Sequence, residues 1–147
     1  MFTLTGSFRH DPPPHYDPPL SHRTDWIIHY LNGHRAIISR LNTLSDQGCA
    51  VSVISLAELY EGVYFSSSPV NNEQALTDFL RGVTILGIDT ETSKIFGQQR
   101  GRLRASGKVL GDFDLLIGAT GLRHELTVLT NNRRHFTLID GLAIESQ

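Results

Sequence analysis

Apolar residues recur at helical spacing from Thr24 onward. The first run, Asp25-Trp26-Ile27-Ile28-His29-Tyr30-Leu31, stops at Asn32-Gly33. A second helix is predicted from His34 to Asp46, with Ile37, Ile38, Leu41 and Leu44 on one face and Gln47-Gly48 after it. Ala50-Val51-Ser52-Val53-Ile54 is a short β-branched run with the composition of a buried strand. Ser55 is then expected to cap a helix, because Glu58 follows at capping-box spacing. Leu56, Leu59, Tyr60 and Val63 supply that helix with an apolar face. After the Ser66–Pro69 loop, Asn71 to Leu80 reads as an amphipathic helix and Val83-Thr84-Ile85-Leu86 as a strand. Asp89-Thr90 starts a helix reaching Ala105, and Gly111-Asp112 opens another through Leu122. Leu126 to Thr130 is the clearest strand, and after a turn Leu142 to Glu145 forms a last short one. Strands separated by helices predict an α/β fold, a three-layer sandwich around a central parallel sheet.

Residues 1–22 break this pattern. Pro12, Pro13, Pro14, Pro18 and Pro19 crowd there, and proline at that density forbids helix and discourages a central strand. An extended, mobile arm is expected over 1–22, with the globular domain over 23–147. His10, His15 and His22 have no metal-ligand spacing and read as part of a solvated tail.

Bulk properties narrow the class. The 147 residues amount to one domain, and 39% hydrophobic content is enough for a core. No apolar run approaches a membrane span, and the N-terminus lacks a secretory signal pattern. Cys49 is the lone cysteine, so no internal disulfide is possible and a reducing cytoplasm is the expected location. The net charge of −2 does not by itself advertise nucleic-acid binding. The basic residues are nearly all arginine, whose fork suits phosphate. Arg100 and Arg104 lie one helical turn apart, and Arg133 and Arg134 follow the last strong strand. Both pairs are candidate RNA contacts, against the blander reading of solvated surface.

The acids carry the candidate chemistry. Glu58 lies near the start of the helix after the Val51 strand, and Asp112 and Asp114 lie in the first turn of the helix after Gly111. Each alone is explained by capping or by the helix dipole. Asp114, however, opens the nearly wholly apolar run Leu115-Leu116-Ile117-Gly118-Ala119-Thr120, so its carboxylate is expected to be partly desolvated. Carboxylates gathered in such a place repel unless a cation sits among them, and oxygen-only ligands suit Mg²⁺ or Mn²⁺. No P-loop, nucleophile elbow or complete EF-hand loop is present.

Three segments resemble the PIN-domain ribonucleases of the VapC toxin type: Val51-Ser52-Val53-Ile54-Ser55-Leu56-Ala57-Glu58-Leu59-Tyr60-Glu61-Gly62, Gly111 to Thr120, and Leu126 to Phe136 with Thr130-Asn131-Asn132. They come in the family's order and spacing. The resemblance implies a PIN-like sandwich with Glu58 and Asp114 as metal-site acids and Asp112 as a supporting acid. It makes Asn132 the polar group closing the site and Thr130 the residue orienting it. It further implies Mg²⁺-dependent cleavage of tRNA or ribosomal RNA, homodimerisation and inhibition by a VapB-type antitoxin. One position departs. The family's first strand ends in a catalytic aspartate, L-D-T-[DN], whereas this chain has His22-Arg23-Thr24-Asp25. Arg23 stands in place of that acid, the first strand is degenerate by this comparison, and Asp25 is the nearby candidate metal ligand. A catalytically impaired domain that acts by binding antitoxin, itself or RNA is the alternative function.

Overall fold

Ser52 is where strand turns into helix. Its backbone is extended (φ −66°, ψ 148°), and its Oγ accepts a hydrogen bond from Ser55 N at 3.0 Å, satisfying an otherwise orphaned donor. The computed structural model describes residues 31–44 and 48–146. Within them the order is α1 (Arg35–Leu44), β1 (Cys49–Ser52), α2 (Val53–Tyr64), α3 (Pro69–Leu80), β2 (Val83–Leu86), α4 (Thr90–Ala105), α5 (Asp112–Arg123), β3 (Val128–Leu129), α6 (Arg133–Phe136) and β4 (Ile144–Glu145).

Among the described residues the strands form two parallel pairs. β1 pairs with β2, Cys49 opposite Val83 and Ser52 opposite Leu86, and β3 pairs with β4. Alternation along the strands divides the core between two faces. Cys49, Val51 and Leu129 pack with Ile37, Leu59, Val63, Leu76 and Phe79 from α1, α2 and α3. Ala50 and Val128 pack with Leu103, Leu115, Ile117, Phe136 and Ile139 from the opposite side. The result is the expected three-layer α/β arrangement: helices α1–α3, strands, helices α4–α6. Among the described residues no helix is long and apolar enough to cross a membrane.

Several sequence-based boundaries need correction. The first described strand stops at Ser52, so Val53 and Ile54 are helical despite their β-branching, and the cap is Ser52 rather than Ser55. Glu58 is therefore the sixth residue of α2 and is buried, so it is no partner in a capping box. Helix α3 begins at Pro69, where the missing N–H costs nothing. The last two strands shrink to two residues each, and the turn after β3 contains the short helix α6. The proline-rich arm, Asp46 and most of the first predicted helix lie outside the described residues. Cys49 is buried, and desolvation pushes its thiol up to about 11, leaving it a poor nucleophile.

Candidate metal centre

Two acids are drawn inward from opposite faces of the strand layer. Glu58 on α2 is 7% exposed and Asp114 on α5 is 3% exposed. Helix α2 leaves the carboxyl end of β1, and α5 runs back toward β3, so its first turn lies level with the carboxyl end of that strand. The two helices pack against each other. Both acids thus belong to the edge where open parallel sheets bind ligands.

Asp114 is held from one side only. Its Oδ2 lies 2.7 Å from His135 Nδ1, while Oδ1 is buried with no hydrogen-bond partner among the described residues. A carboxylate can only accept, so the ring proton sits on Nδ1 and is donated to Oδ2. Leaving the second oxygen dry and unbonded is costly in a protein that satisfies most buried polar atoms, and a cation is the partner that would remove the cost. The donor chemistry is that of a hard divalent ion. The set is incomplete: among the described residues no three His, Cys, Asp or Glu side chains gather at one point.

Thr130 and Asn132 lie just past β3. Thr130 is buried, and its Oγ1 accepts from Asn132 N at 3.0 Å. Ser146 Oγ donates to Thr130 O at 2.6 Å, tying the turn to the end of β4. Asn132 Nδ2 lies 3.0 Å from His135 Nδ1. An amide nitrogen can only donate, so with Nδ1 protonated toward Asp114 this is a packing contact, and it becomes a hydrogen bond only if the amide turns its oxygen to the ring.

The remaining candidates are placed differently. Asp112 is 78% exposed on its side chain and forms an ion pair with Arg100. Two residues along a helix point to nearly opposite sides, which is why one acid is buried and the other solvated. Arg100 is correspondingly occupied. Its Nη1 donates to Leu110 O at 2.7 Å, and its guanidinium stands 5.3 Å from the centre of the Phe96 ring. These contacts pin the α4–α5 connection. Arg104, Arg133 and Arg134 are exposed. Arg133 reaches Ser146 Oγ at 3.3 Å. Asp25 and Arg23 lie outside the described residues. His135 is the residue that sequence reasoning missed. In the sequence it is one unassigned position of the Leu126–Phe136 segment, and its link to Asp114, 21 positions away, is tertiary.

Comparison with known proteins identifies the family. A family model described as the PIN domain matches residues 24–142. Ribonuclease VapC2 of Haemophilus influenzae is 34% identical over 110 residues, covering 75% of this chain and 83% of that protein. The tRNA(fMet)-specific endonuclease VapC of Salmonella typhimurium is 33% identical over 119 residues, 81% of this chain and 89% of that one. Among solved structures, VapBC2 of Rickettsia felis bound to a promoter DNA fragment superposes with a TM-score of 0.78 at 29% identity, covering 84% of this chain and 95% of its counterpart.

Proposed function

Because the chain belongs to the PIN-domain family, we propose that it is a divalent-metal-dependent endoribonuclease of the VapC type. The observation that carries the reading is Asp114 Oδ1, a carboxylate oxygen buried without a hydrogen-bond partner among the described residues, at the carboxyl edge of a parallel strand layer. Glu58 and Asp114 would hold Mg²⁺, with Mn²⁺ as a substitute, and Asp25 is the candidate further ligand. Asp112 would act from the rim. When bound, the ion supplies water activation and charge stabilisation for in-line displacement at a phosphodiester.

The chain's own residues do the rest. Burial of Glu58 and Asp114 keeps bulk water away and strengthens their hold on a cation. Thr130 and Asn132 fix the turn that closes the site. Arg133, Arg134 and Arg104 are exposed and suited to RNA phosphates, which position the strand without reading its sequence. Transfer RNA or ribosomal RNA is the expected substrate class, in the cytoplasm. A VapB-type antitoxin is the expected partner, since the structural neighbours include VapBC complexes, and the active unit is expected to be a homodimer.

The second reading rests on Arg23, which brings a fixed positive charge to the place of the family's first aspartate. There it could neutralise the acids and leave a domain that binds without cutting. The test is cleavage of total tRNA and ribosomal RNA with Mg²⁺ and with EDTA, by the parent chain, Glu58→Gln, Asp114→Asn and Arg23→Asp. Mg²⁺-dependent cutting that falls by about a hundred-fold or more in the two acid variants supports the enzyme. Cutting by Arg23→Asp alone supports the binding reading. Cleavage indifferent to EDTA and to both acid variants refutes the proposed site.

A further inference from the structure

We propose that His135 is the positioning residue of Asp114, and that Thr130 and Asn132 act on the site through it. The inference rests on the metal-site reading above and adds the means by which the chain aims its buried carboxylate.

A carboxylate turns easily about its last bond, so an Asp with one free oxygen can present either one, or neither, to a ligand. At Asp114 the choice is made by His135. The 2.7 Å contact to Nδ1 takes Oδ2, which leaves Oδ1 as the available atom. Hydrogen bonds to an ionised acceptor are short and strong, and this distance belongs to that class. The ring is itself located by its surroundings. His135 N donates to Asn132 O at 3.2 Å, the Asn132 side-chain amide packs 3.0 Å from Nδ1, and Asn132 N donates to the buried Thr130 hydroxyl. Phe136, 1% exposed, anchors the next position in the core. Tension or slack anywhere along Thr130, Asn132 and His135 therefore reaches the carboxylate. The imidazole side chain is 43% exposed, so the second ring nitrogen needs no protein partner, and truncating the ring opens no core cavity.

Groups that orient a metal-binding acid typically matter by about ten- to a hundred-fold in affinity. The test is calorimetric titration of the whole chain with Mn²⁺ or Mg²⁺ alone, with melting curves recorded in EDTA as the fold check. His135→Ala is expected to weaken binding by about ten-fold while its melting temperature stays near the parent's. His135→Asn should restore most of the affinity, because its amide nitrogen stands near the position of Nδ1. His135→Gln should not, since its amide reaches toward the position of Nε2. Equal or tighter binding by His135→Ala overturns the inference and leaves the metal site standing, provided Asp114→Asn still abolishes binding. A parent chain that binds neither ion overturns both. Should His135→Ala fail to fold, the other two variants decide: equal affinities in His135→Asn and His135→Gln overturn the proposal.

Discussion

Asp114 and Asp89 are both acids at helix starts, and their surroundings send them in opposite directions. Asp89 caps α4 in the expected way: its Oδ1 accepts from Thr92 N at 2.7 Å and from Thr92 Oγ1 at 2.8 Å, and Arg123 Nε lies 3.1 Å from Oδ2. The backbone and hydroxyl bonds of Thr92, aided by Arg123, draw its pKa down to about 2. A carboxylate depressed in the folded state stabilises above its unfolded value, about 3.9, and that contribution disappears as pH falls through the folded value. Asp89→Ala should therefore lower the melting temperature at pH 7, and its deficit against the parent should shrink between about pH 4 and pH 2. A deficit that is constant across that range would show that the cap does not act through the ionised carboxylate. Asp114 has no such cap function, since Gly111 stands at the N-cap and offers no side chain. Sequence spacing could not separate these two acids. What separates them is that Asp114 opens a helix buried nearly all round, a feature legible in Leu115 to Thr120, whereas Asp89 opens one whose surface is mostly solvated.

At the scale of elements, the sequence was most legible where one signal acted alone. The β2 strand follows from a short hydrophobic run, and the start of α4 from its Asp89 cap. It was least legible at β1–α2, where the β-branched Val53 and Ile54 favour strand locally but the Ser52 cap and the packing of Leu59 and Val63 favour helix, and the cap and packing prevail. The helices also show how glycine costs depend on what surrounds it. Gly97 and Gly101 sit inside α4 with nothing within 4 Å of an added Cβ. Alanine at either should raise stability by about 0.5–1 kcal/mol, because the unfolded chain loses freedom and the helix gains a better former. At Gly118 in α5 the added Cβ would meet Ile139 Cδ1 at 2.1 Å and Leu142 Cδ2 at 3.5 Å. Ile139 is 3% exposed and has little room to turn aside. Overpacking of about 1–3 kcal/mol should outweigh the helix gain there. Thermal melts should thus order the variants Gly101→Ala, parent, Gly118→Ala from most to least stable. A Gly118→Ala variant melting above the parent would show that Ile139 repacks freely.

Viewed as a whole molecule, the chain draws its two buried acids from different layers. Glu58 comes from α2, on the face shared with α1 and α3, and Asp114 from α5, on the face shared with α4 and α6. A cation bridging them would therefore tie together the two helical layers across the carboxyl edge of the strands, and binding would be read out as global stability. Anything that binds only the folded state stabilises it by mass action, about 2.7 kcal/mol at a hundred times the dissociation constant. For a domain of this length that corresponds to roughly 8 °C in melting temperature. Saturating Mg²⁺ or Mn²⁺ should raise the melting temperature by that order, and EDTA should reverse it. Asp114→Asn should abolish the shift. In EDTA the same variant should melt at or above the parent's temperature, because its amide oxygen still accepts from His135 while a buried charge is gone. The pair of results separates site from scaffold. A cation shift that survives in Asp114→Asn would remove Asp114 from the ligand set, and a large drop in the variant's metal-free stability would mean that Asp114 holds the fold together rather than strains it.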